Sequence, residues 1–304
     1  MQKLLDRAAH EIGTVLLGKE RQIRLALCCL ISGGHLLLED LPGMGKTTLA
    51  HALAIVLGLQ YRRVQFTSDL LPGDILGTSI FDRQNNQFKF LPGPVFTQVL
   101  LADEINRSTP KTQSALLEAM AEQQVTIDGQ TRPLPQPFFV IATQNPLSQA
   151  GTYPLPESQL DRFLMRLSLG YPDPDAERRL LAGQDAQKQL PKLQRCMTAE
   201  QLQKLQTAVD GVHASEQLLD YLQRLIAYTR SEPSFAFGLS PRGALALLRC
   251  AKAWAMMNGR GHVVPEDVQI VLSPVVEHRL HAHIDHTGDG SALVDSLLRK
   301  VAVI

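Results

Sequence analysis

The stretch LLLEDLPGMGKTTLAHAL, residues 36–53, constrains the fold more than any other part of this sequence. A run of leucines passes into a loop with two glycines, Gly43 and Gly45, and then into an apolar helical segment that Lys46 and Thr47 open. A strand, a glycine-rich turn and a helix N-terminus in this order aim backbone N–H groups at one point and favour a phosphate there. The sequence therefore predicts an α/β fold with a phosphate-binding loop.

The loop departs from the pattern G-x-x-x-x-G-K-[ST] at one position, because Asp40 stands where the pattern has its first glycine. Residue 40 lies where the chain leaves the strand, whereas Gly43 and Gly45 are the positions where the backbone passes closest to a ligand. We therefore expect the mechanism to be retained, with Lys46 reaching the outer phosphates and the Thr47 hydroxyl holding Mg²⁺.

The composition is that of an ordinary globular protein, with 304 residues and 30 Lys plus Arg against 30 Asp plus Glu. This balance gives no overall electrostatic reason to bind nucleic acid or anionic lipid. No apolar run is long enough to span a bilayer, and the N-terminus does not have the pattern of a signal peptide. The four cysteines show neither zinc-ligand spacing nor a disulfide framework, so we expect reduced thiols and a cytoplasmic protein.

Short apolar runs alternate with helical segments up to about residue 172, which predicts a parallel sheet covered by helices. The continuous apolar character of these runs is typical of strands buried on both faces. The expected strands are residues 35–38, 63–66, 99–102, 138–143 and 165–169.

Two segments interrupt this rhythm and predict β-hairpins inserted beside the sheet. In residues 78–91, apolar residues alternate with polar ones around a polar turn at 83–86. In residues 124–132, the pair Asp128-Gly129 is a strong signal for a two-residue hairpin turn.

The segment YPDPD, residues 171–175, predicts a linker, because its two prolines disfavour continued regular structure. We expect an α/β nucleotide-binding domain over residues 1–172 and an all-helical domain over residues 173–304. The expected helices of the second domain are residues 177–189, 198–209, 215–229, 240–258, 265–280 and 291–302, the fourth of them capped by Ser240 with Pro241 at its first position.

Polar residues follow two further apolar strands. In VLLADEINR, Asp103 and Glu104 emerge at the carboxyl end of a strand, where ligands sit in open parallel sheets. Asp103 would hold Mg²⁺ through water and Glu104 would polarise the attacking water. In FFVIATQNP, Gln144 and Asn145 follow the next strand, where an amide would orient that water. These positions predict the second half of an ATPase site.

Three arginines could place positive charge against the phosphates. Arg162, in SQLDRFLMRL, could stabilise the transferred phosphoryl group from a neighbouring subunit, or it could form an ordinary salt bridge to Asp161 or Glu157. Arg242 sits at the second position of a helix, where the helix dipole disfavours a cation unless an anion is bound. Arg166 is a weaker candidate for contacting the phosphates.

Together, DLPGMGKT, LLADEINR, IATQNP, LDRF and LSPR resemble the motifs of the AAA+ ATPases in order and spacing. The two hairpins resemble the helix-2 insert and the pre-sensor-1 hairpin of one branch of that group. Within that branch, LLLEDLPGMGKTTLA, FTSDLLPGDILGTSIFD, DEINRSTPKTQSALLEAMAEQQVTIDG and ESQLDRFLMRL closely resemble the MoxR family. The resemblance covers nearly the whole chain.

The resemblance implies a ring, a hexamer, that binds ATP and Mg²⁺ at subunit interfaces. It makes Asp103 and Glu104 the Walker B pair and Asn145 sensor 1, with Arg162 as the finger and Arg242 as sensor 2. Gly18 would flank the adenine, and Asp40 is a common variant in the family. The implied Walker A contacts are Pro42, Gly43, Met44, Gly45, Lys46, Thr47 and Thr48.

Family members are thought to be chaperone-like remodellers or maturation factors for protein clients, often with partners that carry a von Willebrand factor A domain. A nucleic-acid motor is a second hypothesis, but the hairpin with Asp128 at its tip and only Arg132 near its base lacks the expected basic residues. A magnesium-chelatase-like motor subunit would share every ATPase residue. A nucleotide switch without turnover does not explain the presence of Glu104, Asn145 and Arg162.

One cluster lies outside these motifs. The segment EHRLHAHIDH contains His278, His281, His283 and His286, whose spacing along a helix could converge on a metal. The alternative is a polar helix end that leads into the turn HTGDG.

Overall fold

The computed structural model describes residues 2–146, 151–183, 186–282 and 290–303. Helices and strands alternate up to about residue 167, where the last strand of the main sheet ends. Most of the described residues after that point are helical. The strands are β1 (His35–Glu39), β2 (Tyr61–Gln65), β3 (Gly77–Asp82), β4 (Gln87–Pro92), β5 (Val99–Asp103), β6 (Gln124–Ile127), β7 (Gln130–Pro133), β8 (Phe139–Gln144), β9 (Phe163–Leu167), β10 (Phe235–Phe237) and β11 (His281–Ala282).

The helices before residue 171 are α1 (Gln2–Gly13), α2 (Glu20–Ile31), α3 (Lys46–Val56), α4 (Pro72–Leu76), α5 (Pro110–Glu122) and α6 (Glu157–Leu160). Those after it are α7 (Pro174–Leu181), α8 (Ala186–Gln189), α9 (Ala199–Asp210), α10 (Glu216–Ser231), α11 (Pro241–Met257), α12 (Pro265–Val276) and α13 (Gly290–Lys300). None of the helices in the described part of the chain is long and apolar enough to cross a membrane.

The central element is a five-stranded sheet in the order β2-β5-β8-β1-β9, and every pairing in it is parallel. This confirms the predicted five-stranded parallel sheet. The strands β5 and β8 are fully or almost fully buried, as their apolar runs require. The expectation of burial on both faces is wrong for β2, because it is an edge strand that exposes Arg62, Arg63 and Gln65. The order places the carboxyl ends of β1, β5 and β8 side by side.

Both predicted hairpins form separate two-stranded antiparallel sheets, β3 with β4 and β6 with β7. The second hairpin turns at Asp128 and Gly129, with φ of 52° and 73°. Two successive left-handed residues are what the favoured two-residue hairpin turn requires. The local turn chemistry of the sequence was therefore sufficient to predict this element.

The described residues after 172 are mainly helical, but they also form a short antiparallel pair of β10 with β11 and an isolated bridge between His213 and His262, so the prediction of an all-helical domain is wrong in this detail. The predicted helix 177–189 is represented by two shorter helices, α7 and α8, and the predicted helix 265–280 ends earlier, at Val276. The start of α11 is as expected, since the Ser240 hydroxyl accepts a hydrogen bond from the Gly243 N–H and Pro241 follows.

A continuous apolar core connects the helices after residue 172 with the sheet. Helix α11 packs against α2, α9 and α12, and buried residues such as Leu27, Leu202 and Trp254 belong to one cluster. A second cluster, which includes Leu116 and Val140, fills the opposite face of the sheet beneath α5. The cysteines Cys28, Cys29, Cys196 and Cys250 are free thiols, and all four are buried.

Candidate functional site

The loop after β1 has the backbone shape of an anion-binding turn. Gly43 and Gly45 have φ of 85° and 91°, in the left-handed region where a side chain is disfavoured. A Cβ at Gly45 would also lie 2.9 Å from Leu16 Cδ1. Helix α3 begins directly after Gly45, so its first backbone N–H groups face the loop.

The side chain of Lys46 lies along this loop. Its Nζ donates to the backbone oxygens of Asp40, of Leu41 at 3.1 Å and of Gln144 at 3.4 Å. Burial is the main cause of a lowered pKa for Lys46, and the carboxylates of Asp40, Asp103 and others nearby oppose that shift. The ammonium is thus partly desolvated, and a phosphate in the loop would replace the backbone carbonyls as its partner.

Asp40 has a structural task that the pattern of the loop does not reveal. Its carboxylate is only 8% exposed and accepts hydrogen bonds from Ser168 Oγ at 3.0 Å, from the Leu169 N–H and from the Gly170 N–H at 3.3 Å. These three residues follow β9 and lead into the linker. Asp40 therefore ties the start of the phosphate loop to the segment that precedes the second part of the chain.

The two acidic residues after β5 are held by the neighbouring strand β8. Thr143 donates its hydroxyl proton to Asp103 Oδ1 at 2.6 Å and accepts the Glu104 N–H at 2.8 Å. Glu104 has φ of 55°, a left-handed conformation that is uncommon for a residue with a side chain and is often found at functional sites. Thr143 thus fixes both the metal-binding candidate and the candidate base.

The edge strand β2 contributes two residues that the sequence analysis missed. Arg63 donates to Asp103 Oδ2 from Nη2 at 2.6 Å and from Nε at 3.0 Å. Gln65 donates from Nε2 to Glu104 Oε2 at 3.1 Å, and Arg107 also pairs with that oxygen at 3.1 Å. The sequence signal for these contacts is the alternation in YRRVQ, because Arg63 and Gln65 stand two residues apart and so project from the same face of the strand.

These groups surround one cavity of about 360 Å³. Asp103, Glu104 and Asn145 line it together with Arg63 and Gln65. Among the predicted loop residues that line it are Pro42, Gly43, Gly45, Lys46, Thr47 and Thr48. The structure therefore brings together both halves of the predicted ATPase site.

Two predicted nucleotide contacts lie elsewhere. Met44 packs against the main apolar core. Gly18 lines a neighbouring cavity of about 430 Å³, together with Leu16 and Arg179. A Cβ at Gly18 would lie 2.5 Å from Asp173 Oδ2, so this position requires glycine for close packing against the start of α7.

The residues around the first cavity fit a phosphate with its Mg²⁺. Thr47 and Asp103 supply a hydroxyl and a carboxylate, the oxygen ligands that Mg²⁺ prefers. A Cβ at Gly43 would meet nothing within 4 Å, so the loop leaves open space at that point. Thr47 and Asp103 are therefore the candidates to hold the metal, with Lys46 and the loop N–H groups facing the phosphates.

The structure does not place Arg162 or Arg242 among the residues that line this cavity. Arg162 Nη1 donates to the Leu117 carbonyl at 3.1 Å. Arg242 is 64% exposed in its side chain and lies 3.9 Å from Asp161 Oδ2. The carboxylate of Asp161 instead binds Arg279 Nε at 2.7 Å. Both candidate arginines thus flank the same short segment before β9.

Arg166 has a different surrounding. It forms ion pairs with Glu39 at 2.9 Å and with Glu277 at 3.0 Å, so it bridges the end of β1 and the turn after α12. The guanidinium is therefore engaged between two carboxylates, a structural position in this chain.

The histidine cluster is only partly described. His278 is 3% exposed, and its Nε2 lies 2.9 Å from the Phe163 carbonyl. His281 begins β11, whereas His283 and His286 lie outside the described residues. Among the described residues, no group of three or more His, Cys, Asp or Glu side chains could hold a metal ion.

Two family profiles match the chain. The profile of the ATPase family associated with various cellular activities (AAA) matches residues 35–165, and that of the AAA lid domain matches residues 227–297. The first match covers the loop, both acidic residues and Arg162. The second covers Arg242 and the helices around it.

Known proteins resemble the chain over nearly its full length. The uncharacterized protein YeaC of Bacillus subtilis is 42% identical over 100% of this chain and 96% of its own. Chaperone MoxR1 of Mycobacterium tuberculosis is 38% identical over 98% of this chain and 82% of its own. The crystal structure of a candidate ATPase from Cytophaga hutchinsonii superposes with a TM-score of 0.89 and 37% identity, covering 100% of this chain and 96% of that one.

Proposed function

Because this chain belongs to the MoxR family of AAA ATPases and hydrolyses ATP, we propose that it is a chaperone-like remodeller or maturation factor for a protein client. One observation supports this most directly. The cavity holds Lys46, Glu104 and Asn145, while Arg162 and Arg242 lie outside it. A single chain therefore carries an ATPase site that lacks both of the candidate arginines for phosphoryl transfer.

The residues of the cavity have separate tasks in this proposal. Glu104 directs water onto the γ-phosphate, and Asn145 orients that water. Lys46 and the N–H groups of the loop hold the phosphates in line for the attack. Thr47 and Asp103 would hold Mg²⁺, which would neutralise charge on the phosphates.

Arg162 and Arg242 act on the nucleotide of a neighbouring subunit. Both lie at the segment around Asp161, and the side chain of Arg242 is directed to solvent in the single chain. An arginine supplied in trans stabilises the transition state of phosphoryl transfer. We therefore propose a closed homo-oligomeric ring, of six subunits, in the cytoplasm.

The two predicted domains, residues 1–172 and 173–304, would rotate against each other during the cycle. Hydrolysis at one interface would shift the second domain, and the ring would pass this movement to the client. A partner with a von Willebrand factor A domain is part of this proposal, and it rests on the resemblance to the family alone.

The contacts of Arg132 argue against a nucleic-acid motor. Its guanidinium lies 4.0 Å from the centre of the Phe90 ring, and its N–H groups donate to Ile127 and Gln130. Arg132 is the arginine of the β6–β7 hairpin, so its charge is engaged between the two hairpins. A magnesium-chelatase-like motor would share the ATPase residues, and no contact of the described residues favours it.

The first experiment measures mass by light scattering after size exclusion, with and without MgATP, and phosphate release at several protein concentrations. We expect a ring in MgATP and a specific activity that rises with concentration, because the site is shared. A monomer that hydrolyses ATP at a concentration-independent rate would contradict the ring.

Variants separate the two halves of the shared site. Glu104→Gln should bind ATP and lose turnover, and Arg162→Ala should lose turnover with its ATP affinity preserved. Mixing the two proteins should restore some phosphate release, because an interface between complementary defects can be intact. If the mixture stays as inactive as its components, Arg162 does not act in trans.

The client class is tested by stimulation of phosphate release. We expect a permanently unfolded protein to raise the rate, and single- or double-stranded DNA at equal mass to leave it unchanged. Stimulation by DNA alone would replace the proposed function with that of a nucleic-acid motor.

A further inference from the structure

Arg63 holds the carboxylate that is proposed to bind Mg²⁺. Two N–H groups of its guanidinium donate to one oxygen of Asp103, Oδ2, while the other oxygen accepts the Thr143 hydroxyl. A carboxylate offers about four acceptor positions, so most of those on Asp103 are already used. Arg63 lies where β2 pairs with β5, and Gln65 of the same strand pairs in register with Asp103.

The same guanidinium reaches the side chain that holds the candidate base. Arg63 Nη2 lies 3.3 Å from Gln65 Oε1, and Gln65 Nε2 donates to Glu104 Oε2 at 3.1 Å. A connected set of hydrogen bonds therefore runs from Asp103 through Arg63 and Gln65 to Glu104. A movement of Arg63 would remove a donor from Asp103 and another from Gln65, the residue that binds Glu104.

Arg63 is able to leave this position. Its side chain is 49% exposed and lines the cavity, whereas Asp103 is almost buried. An exposed arginine on an edge strand can turn towards solvent without opening the sheet. The ion pair is charge-assisted, so it is strong enough to be favoured when no other cation approaches Asp103.

We propose that Arg63 is an internal counter-ion that competes with Mg²⁺ for Asp103 and so sets the Mg²⁺ dependence of nucleotide binding. This inference rests on the proposed role of Asp103 as a metal-holding residue. Without Mg²⁺, Arg63 neutralises a carboxylate that would otherwise repel the nucleotide phosphates. With Mg²⁺, Arg63 withdraws from Asp103, because the guanidinium and a hydrated Mg²⁺ held at the same carboxylate repel each other.

The test is the affinity for a fluorescent, non-hydrolysable ATP analogue, measured in EDTA and in excess Mg²⁺. The ratio of the dissociation constant in EDTA to that in Mg²⁺ reports the coupling between metal and nucleotide. Arg63→Gln should raise this ratio by about fivefold, since one solvent-accessible ion pair contributes up to about 1 kcal/mol. The Mg²⁺ concentration at half-maximal binding should fall in parallel.

The ratio separates this role from the alternatives. If Arg63 binds the phosphates directly, Arg63→Gln weakens both affinities equally and leaves the ratio unchanged, which overturns the proposal. A purely structural role also leaves the ratio unchanged. Arg63→Lys keeps the charge and should restore a ratio between those of the wild type and Arg63→Gln.

Two further variants complete the design. Arg62→Gln is the matched control, because Arg62 is the adjacent residue of the same edge strand and points to the other face. It should bind as the wild type does in both conditions. In an Asp103→Asn background, Arg63→Gln should no longer change the ratio, and a persisting change would refute the competition.

The same data show whether the underlying site is correct. If wild-type binding is independent of Mg²⁺ and Asp103→Asn changes nothing, the proposed metal site itself is wrong. If Asp103→Asn removes the Mg²⁺ dependence but Arg63→Gln does not alter it, only the role of Arg63 is wrong.

Discussion

Replacing Asp40 with glycine would complete the phosphate-loop pattern, yet we expect it to destabilise the protein. The carboxylate of Asp40 is nearly buried and accepts hydrogen bonds from Ser168 Oγ and from the N–H groups of Leu169 and Gly170. Asp40→Gly removes all of these and leaves the buried Leu169 N–H without its acceptor. The glycine found in the general pattern is therefore the wrong residue for this chain.

The magnitude follows from the number and kind of these bonds. A hydrogen bond to a charged group contributes about 1.5 to 3 kcal/mol, and an unsatisfied buried donor costs about 1 to 3 kcal/mol. Glycine lowers the free energy of unfolding further, by about 0.5 to 1 kcal/mol, because it raises the conformational entropy of the unfolded chain. Because such terms overlap, we expect a loss of about 3 kcal/mol in the free energy of unfolding. At about 2 °C per kcal/mol for a chain of this size, the Tm falls by roughly 6 °C.

Thermal and urea unfolding, followed by circular dichroism, measure this loss. A double-mutant cycle with Asp40→Ala and Ser168→Ala isolates one bond, and the double variant should lose about 1 kcal/mol less than the sum of the single ones. An Asp40→Gly protein as stable as the wild type, or additive losses in the cycle, would refute the argument.

Three further predictions address other buried contacts. The pKa of His35 is lowered by burial from 6.5 to about 4, so its neutral form is favoured in the folded state. Stability is then fully present above about pH 6.5 and decreases by about 3 kcal/mol as the pH falls towards 4. Urea unfolding against pH should show this slope, and a His35→Gln variant should flatten it. Thr143→Val should lower kcat by about tenfold or more, because Asp103 and Glu104 both lose a partner, and Thr143→Ser should restore it. Equal rates for the valine and serine variants would show that the hydroxyl has no role. Arg279→Met should lower the free energy of unfolding by about 3 kcal/mol, because Arg279 is 5% exposed and its loss leaves the Asp161 carboxylate and the Phe163 carbonyl short of donors. A change in Tm within error would contradict this.

Local patterns predicted most of the elements and most of the residues that line the cavity. The glycine-rich loop, the turn at Asp128-Gly129 and the cap at Ser240 depend on neighbours within a few residues, and each formed as expected. The strands before Asp103 and Asn145 were predicted from apolar runs. The parallel order of the sheet then brought their carboxyl ends together.

Most of the missed contacts depend on residues far apart in the chain. Arg63 reaches Asp103 only because β2 pairs with β5, and no local pattern sets that register. Asp40 meets Ser168 at a separation of 128 residues. The short strand β10 exists because β11 lies beside it. In each case the residue type was visible, but its partner was not.

The contacts of the turn after α12 connect the second part of the chain to both functional regions of the first. Glu277 binds Arg166, which also holds Glu39 one residue before Asp40, at the start of the phosphate loop. Arg279 binds Asp161, the neighbour of Arg162. Because these ion pairs begin within three residues of one another, the turn cannot shift without moving or breaking both. A change at the phosphate loop and a change at the segment of Arg162 therefore both act on this turn. If the site is shared between subunits, the turn couples the phosphate loop of one subunit to the arginine that the same subunit presents to its neighbour.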